Sequence, residues 1–333
     1  MSKKDPTVYD VAKEAGVSIT TVSRVLNSPS LVRASTRTRV LDAIDKLGFV
    51  PKADARERAR KQLGRIGILT PFFTFPSFVQ RMRGIAESLA DKPYELVIYP
   101  VDSLARLDGY LSMLPITRRL DGLIVITLPV SDTAAQRLID NELKTILVEF
   151  HHPSFSSIEI DDTAGGKLAA EYLLAKGHQR FAFMGSGELP EYTLRPEEKR
   201  LDGFRQALNA HGIVLPEEYI CKFPVQASGQ PCDLANLFSL PDPPTALFAA
   251  TDDLAIRALR FAHEHNINIP NDLAIVGFDD IDMAEYIGLT TVKQSLDDSG
   301  KMAVELLLGR LENPNRPIQH VKIQLEIVER QTA

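Results

Sequence analysis

The sequence predicts a small all-α helix-turn-helix head, a charged connecting segment and a two-lobed α/β body of parallel sheets flanked by helices. Three observations predict it. Residues 7–47 hold three runs of apolar residues at helical spacing, residues 51–64 are nearly devoid of large apolar groups, and from Arg65 onward short apolar runs alternate with amphipathic segments. A chain of 333 residues exceeds one ordinary core. Its 44% hydrophobic and 25% charged residues are globular values.

The head begins with Thr7 and Asp10 in a capping-box pattern, after which Val8, Val11, Ala12 and Ala15 recur at helical spacing. Gly16 supplies a turn residue free to take positive φ, and Ser18 is placed to cap a second helix that buries Val22, Val25 and Leu26. Its outer face carries Ile19, Thr20, Ser23, Arg24 and Asn27. A third helix is expected with Ser35 or Thr36 as N-cap, with Val40, Leu41, Ile44 and Leu47 inward and Gly48 as its stop. Two short helices meeting at a tight turn, the second with a polar and cationic face, form a pattern whose second helix fits the DNA major groove. A surface helical hairpin would share that pattern, so the charge distribution matters. The net charge of −6 argues against a nucleic-acid partner, yet residues 1–63 hold 13 Lys and Arg against 7 Asp and Glu, and the remainder 25 against 37. A basic head on an acidic body is expected where only the head meets phosphate.

The segment Pro51–Gly64 is rich in alanine and charge and cannot pack a core. Behind a DNA-binding head, Arg56, Arg58, Arg60 and Lys61 offer charge to a backbone or a narrow minor groove. Cys221 and Cys232 form no short-spaced metal or redox motif, and isolated thiols suit a reducing cytoplasm. The start, Met-Ser-Lys-Lys-Asp-Pro, has no apolar stretch behind it, so no secretory leader is expected. No apolar run is long enough to span a membrane.

In the body the expected strands are Ile66–Thr70, Glu95–Tyr99, Gly122–Thr127, Thr145–Phe150, Phe181–Met184, Ala246–Ala250 and Ala274–Phe278. Between them lie helical segments such as Phe78–Ala90, Gly165–Lys176, Lys199–Ala210 and Leu254–His265, and a break near Ile158–Asp162 separates two lobes. Ligands of open α/β sheets sit beyond the carboxyl ends of the strands. That rule nominates Phe72, Phe73 and Phe75, Glu149 and His151, Ser186 and Glu188, Thr251 and Asp252, and Asp279. Aromatic faces with carboxylates and hydroxyls suit a polyol.

The order Y-D-V-A-x-x-A-G-V-S-x-x-T-V-S-R-V-L-N, then T-R-x-R-V-x-x-A-I-x-x-L-G-F-x-P, closely resembles the LacI/GalR family of bacterial transcription regulators. The resemblance continues through D-D-T-A-G-G-K-L-A-A-E-Y-L-L-A-K-G-H, R-L-D-G-F-R-Q-A-L and I-P-N-D-L-A-I-V-G-F-D-D. It implies a helix-turn-helix domain at 1–50, a hinge at 51–64 and, at 65–333, a periplasmic-binding-protein-like effector and dimerisation domain. The lobes would be about 65–160 plus 292–322, and 161–291 plus 323–333. It implies Ile19, Thr20 and Arg24 as base readers, with Thr7, Ser18, Thr21, Ser23, Asn27, Arg33 and Thr36 on phosphates and Arg56 and Arg58 in the hinge. In the family hinge pattern P-N-x-x-A-R/Q-x-L, Pro51, Ala55 and Arg56 match, while Lys52 replaces the asparagine and Arg58 the minor-groove leucine. Arginine lacks that apolar wedge, so less DNA bending is expected.

For the effector the resemblance implies Arg200, before x-x-G-F, and Asp279, in G-F-D-D, as polar contacts, with Thr251 and Glu149 at equivalent polar positions. Phe73 and Phe75 fall in the altered loop T-P-F-F-T-F-P-S-F. The implied partners are double-stranded DNA with a pseudo-palindromic operator, a sugar-like small molecule and a second copy of the chain. No leucine-heptad tail follows the expected last strand, Val321–Val328, so a homodimer rather than a tetramer is expected. No catalytic site, cofactor or metal site is expected. His151 and His152 are adjacent rather than a helical turn apart, and no G-x-x-x-x-G-K loop, dinucleotide fingerprint or G-x-S-x-G elbow occurs. A secreted sugar-binding protein would carry a leader where this chain has a basic head.

Overall fold

The computed structural model describes residues 6–27, 32–47, 49, 63–223 and 234–333. The chain divides into two compact units, Met1–Leu63 and Gly64–Ala333. In the first unit lie α1 (Val8–Ala15), α2 (Ile19–Asn27) and α3 (Ala34–Leu47). Asp10 Oδ2 accepts the Thr7 amide at 2.7 Å and the Thr7 hydroxyl at 2.6 Å, closing the expected N-terminal box. Gly16 takes φ 63° and returns its N–H to the Ala12 and Lys13 carbonyls, a left-handed stop that glycine adopts without strain. Ser18 Oγ then accepts the Thr21 amide at 3.1 Å and starts α2. Val11, Ala15, Val22, Val25, Val40 and Ala43 form the core.

Two expectations for α3 are corrected. It starts at Ala34, with the Arg33 carbonyl accepting the Thr36 and Arg37 amides at 3.0 Å each, so neither Ser35 nor Thr36 caps it. Leu41 is 45% exposed. The buried stripe runs through Val40, Ala43, Ile44 and Leu47, and Leu41 stands about 100° around the helix from Val40. Gly48 lies outside the described residues.

The second unit opens with β1 (Gly64–Thr70), α4 (Pro76–Leu89), β2 (Tyr94–Pro100), α5 (Leu104–Thr117), β3 (Gly122–Ile126), α6 (Asp132–Asp140), β4 (Lys144–Val148) and β5 (Ser156–Glu159). It continues through α7 (Asp162–Ala175), β6 (Phe181–Ser186), α8 (Pro196–Ala210), β7 (Ile220–Phe223), α9 (Leu234–Phe238), β8 (Ala246–Ala249), α10 (Asp252–Glu264), β9 (Ala274–Asp279), α11 (Asp282–Tyr286) and β10 (Thr290–Lys293). α12 (Leu296–Glu312), β11 (His320–Lys322) and β12 (Glu326–Val328) complete it. One sheet has the order β11-β5-β4-β3-β1-β2 and the other β12-β10-β9-β8-β6-β7. All pairings are parallel except β10 with β12.

Each sheet is the centre of one lobe, and the chain passes between them after Glu159, after Lys293 and after Lys322. The third passage splits the expected strand Val321–Val328 into β11 and β12, which belong to different sheets. Each fragment pairs over three residues, too short for periodicity to separate them. The Ile158–Asp162 stretch, read as a break, contains the end of β5 as well as the first passage.

Two helix pairs press backbone to backbone. α7 meets α8 where a Cβ on Gly166 would stand 1.9 Å from the Arg200 carbonyl oxygen and one on Gly203 1.9 Å from that of Thr163. α4 meets α12 likewise through Gly84, facing Asp297, and Gly300, facing Arg81. These contacts set the depth at which Arg81 and Arg200 enter their lobes. Cys221 on β7 is disulfide-bonded, against the expected isolated thiol; Cys232 lies outside the described residues. Lack of a short-spaced motif does not exclude pairing across a longer connection. Among the described residues no helix is long and apolar enough to cross a membrane.

Candidate functional site

On the head, the outer face of α2 presents Ile19, Thr20, Ser23 and Arg24 to solvent. Arg24 makes no ion pair with any described residue, so its guanidinium is available to an external acceptor. The Thr7 hydroxyl donates within its capping box, and the hydroxyls of Ser18 and Thr21 lie 2.9 Å apart. Arg33 is exposed and Thr36 half-buried. The Asn27 side chain, Arg56 and Arg58 fall outside the described residues.

In the second unit the carboxyl ends of strands from both sheets converge on a cleft of about 670 Å³, open to solvent. From the first lobe come Phe72, Phe75, Arg81, Thr127 and Glu149; from the second come Ser186, Glu197, Arg200, Thr251 and Asp279; Gln294 enters from the second passage. Phe72 stacks on Phe75 with centroids 5.1 Å apart and meets Phe78 edge-on at 6.3 Å, an aromatic wall at one side. The segment after β6 reaches across to the first lobe, where Tyr192 packs against its core and the Leu194 amide donates to the Thr127 carbonyl at 3.5 Å.

Two buried arginines organise the floor. Arg81, 1% exposed, donates to Glu149 Oε1 at 2.5 Å and to Ser299 Oγ at 2.9 Å. Glu149 Oε2 accepts from Thr127 at 2.5 Å. Arg200, 4% exposed, donates to Asp162 Oδ1 at 2.9 Å and the Ala250 carbonyl at 2.7 Å, lies 3.8 Å from Asp279 and stacks 3.6 Å over Phe278. Gln294 Nε2 donates to Asp279 Oδ1, which leaves Gln294 Oε1 buried without a partner. An acceptor so placed on a cleft wall suits a ligand hydroxyl, because a buried unmade hydrogen bond is costly.

Backbone strain concentrates at the same place. Phe72, Thr127, Glu149, Asp279 and Asp280 all have positive φ, from 44° to 124°. Each such non-glycine residue costs about 1–3 kcal/mol and persists where the surroundings hold it. Four of the five line the cleft.

Burial would raise the Glu149 carboxyl, but Arg81, the Thr127 hydroxyl and Arg200 together hold it below its ordinary value. Burial drives Asp162 up against the pull of Arg200. It drives Asp279 well above its ordinary value, again against Arg200 and with repulsion from Asp252 added. Burial would lower Arg200, yet Asp162, Asp279 and Glu149 hold it above its usual value. The two buried cations of the cleft are thus already paired with carboxyls, an arrangement suited to a neutral polar ligand.

Below the cleft, Asp252 accepts the Ile281 amide at 2.9 Å and the Thr291 hydroxyl at 2.6 Å, and burial pushes it up to about 7. The folded chain therefore holds a proton there that the unfolded chain releases above its ordinary value of 3.8. This contribution to stability is complete below that value and declines as pH rises towards about 7. Asp252→Asn mimics the protonated form, so the variant should gain on the native chain as pH rises from about 4 to 7. Urea midpoints at several pH values measure this; a constant difference would refute it.

Seven expected residues meet in the cleft: Phe72, Phe75, Glu149, Ser186, Arg200, Thr251 and Asp279, whereas His151, Glu188 and Asp252 do not line it. Thr251 also caps α10 by accepting the Leu254 amide at 3.3 Å. Phe73 is 40% exposed and does not line it; Phe72, turned by its φ of 44°, takes that place. Arg81, Thr127 and Gln294 were not expected. Arg81 carried a signal, since it shares a helical stripe with Phe78 and Ile85 where a charge must find a buried partner. Thr127, at the end of the expected strand Gly122–Thr127, carried the strand-end signal, whereas Gln294 carried none because it follows a strand that only the structure sets.

The molecule is a helix-turn-helix head followed in the chain by a two-lobed body with a ligand cleft. Residues 7–52 match the model of bacterial regulatory proteins of the lacI family, and residues 170–333 that of a periplasmic binding protein-like domain. The ribose operon repressor of Escherichia coli (strain K12) is 30% identical over 98% of this chain and 99% of its own length. A LacI family transcriptional regulator from Enterococcus faecium, solved with bound ribose, is 31% identical with a TM-score of 0.68, over 81% of this chain and 98% of that one. The lac repressor dimer bound to operator and the anti-inducer ONPF is 26% identical with a TM-score of 0.65, over 99% of each chain. The chain belongs to the lacI family of bacterial regulatory proteins and is a DNA-binding transcriptional regulator.

Proposed function

We propose that this regulator is a repressor that binds a pseudo-palindromic operator as a homodimer and is controlled by a neutral, sugar-like effector held between its lobes. The observation that carries the reading is the cleft: both lobes contribute to it, its cations are already paired, and Gln294 offers a buried acceptor without a partner. A ligand that touches both lobes favours one relative orientation of them, and its effect on operator affinity is reciprocal, typically about 1–3 kcal/mol. Bound ribose in the Enterococcus faecium relative supports the sugar class, and the operator-bound lac repressor supports the dimer.

In this reading residues 1–50 read DNA, 51–64 form the hinge and 65–333 bind effector and partner. Ile19, Thr20 and Arg24 contact base edges, with Arg24 on guanine, while Thr7, Ser18, Thr21, Ser23, Asn27, Arg33 and Thr36 contact phosphates and Arg56 and Arg58 the hinge site. Phe75, Glu149, Arg200, Thr251 and Asp279 hold the effector, with Phe72 in the place expected for Phe73. The chain acts on DNA in the cytoplasm as a regulator rather than an enzyme. The disulfide at Cys221 removes the thiol argument for that compartment, which now rests on the DNA partner.

The test is selection of duplexes from a random library, repeated with Arg24→Ala and followed by release with individual neutral sugars. The native chain should enrich two related half-sites. Arg24→Ala should relax one position in each, a loss of about 1–3 kcal/mol of discrimination. Enrichment without half-site symmetry would reject the dimer, and an unchanged motif would reject Arg24 as a reader.

A further inference from the structure

Away from the cleft, three segments distant in sequence bring two imidazoles and a carboxylate together. His151 follows β4, Glu159 ends β5 and His320 opens β11. β11 pairs with β5 so that His320 faces Ser157 and Lys322 faces Glu159, which puts Ser157, Glu159 and His320 on one side of the sheet edge. His151 Nδ1 lies 2.7 Å and His320 Nδ1 3.4 Å from the same oxygen, Glu159 Oε1. The two rings are 4.4 Å apart. The Ser157 hydroxyl stands 2.7 Å from both Glu159 Oε1 and His320 Nδ1 and orients that pair.

We propose that His151, Glu159 and His320 form a binding site for one divalent transition-metal ion of the zinc type. Their ligand atoms lie within 4.8 Å of one another. Tetrahedral bonds of about 2.1 Å need separations of about 3.4 Å, a closure within reach of side-chain rotation. Two imidazoles select zinc, nickel, copper or cobalt over calcium and magnesium, which prefer oxygen. The ion displaces the protons shared between the imidazoles and the carboxylate and releases them to solvent. His151 is exposed and the other two are partly so, which gives the ion an entry path and leaves its remaining positions to water. Ser157 supplies the outer hydrogen bond that metal-bound groups need to hold their orientation.

The position gives the site a consequence. Glu159 is the last residue before the first passage between lobes, β11 leads into the third, and the Ile323 amide donates to the Glu159 carbonyl at 2.9 Å. A bound ion staples two of the three strands through which the lobes are joined.

The test uses the full chain without an affinity tag, titrated with zinc by calorimetry and with cobalt by visible absorption. One ion per chain is expected, with Tm raised by about 5 °C at metal about 100-fold above Kd. Tetrahedral cobalt bands should appear, while calcium and magnesium should leave Tm unchanged. His320→Ala should abolish the cobalt bands, and His151→Gln should weaken zinc at least tenfold. Both are partly or fully exposed positions, and a far-UV spectrum and metal-free Tm equal to those of the native chain establish that they fold. Binding weaker than about 1 mM, or equal binding by the native chain and both variants, overturns the proposal.

Discussion

Arg200→Ala should lower the stability of the second unit by about 3–5 kcal/mol, the range seen when one partner of a buried ion pair is removed. Arg200 is held on all sides: it donates to Asp162 and the Ala250 carbonyl, faces Asp279 and stacks on Phe278. Its loss leaves the Asp162 carboxyl and the Ala250 carbonyl without their donor and Asp279 without its facing cation. The sign with pH follows from Asp162 and Asp279, both already above their ordinary values because of burial and both then lacking the opposing pull of Arg200. Groups with raised folded values destabilise progressively as pH rises, so the deficit should be larger at pH 7 than at pH 5. Urea unfolding of Arg200→Ala at both pH values measures it. A deficit below about 1 kcal/mol, or one that grows on acidification, would show that the cluster does not depend on Arg200. Because the same side chain lines the cleft, the effector response should vanish together with the stability.

The sequence exposed the architecture wherever spacing and backbone rules act locally. The Thr7–Asp10 box, the Gly16 turn and the Ser18 cap are consequences of adjacent residues, and all three are present. Strand ends located the cleft because parallel sheets place their ligands there, which brought Phe72, Phe75, Glu149, Ser186, Thr251 and Asp279 into one site, while Arg200, on a helix, was legible only through the family resemblance. What spacing could not show depends on contacts distant in the chain. Val321–Val328 reads as one strand until two different sheets claim its halves. Phe72 and Phe73 are equivalent in sequence, and a positive φ at Phe72 chooses between them. His151 beside His152 suggested no ligand set, since its companions Glu159 and His320 arrive by sheet pairing.

The depth of both arginines depends on glycines, and Gly203→Ala should cost about 3 kcal/mol, the upper end of overpacking penalties. A methyl at Gly203 would stand 1.9 Å from the Thr163 carbonyl oxygen, a backbone atom that no rotamer change can move aside. α7 and α8 must separate, and the separation carries Arg200 away from Asp162, since these residues lie on the two helices in contact. Gly203→Ala should therefore weaken the effector as well, although Gly203 does not line the cleft. Gly109 within α5 provides the contrast, because a Cβ there meets nothing within 4 Å. At that position alanine only restricts the unfolded chain, and Gly109→Ala should stabilise by about 0.5–1 kcal/mol with effector affinity unchanged. Thermal unfolding and effector titration of the two variants separate backbone crowding from helix propensity. Equal shifts for Gly109→Ala and Gly203→Ala would mean that the close approach of α7 and α8 does not set the position of Arg200.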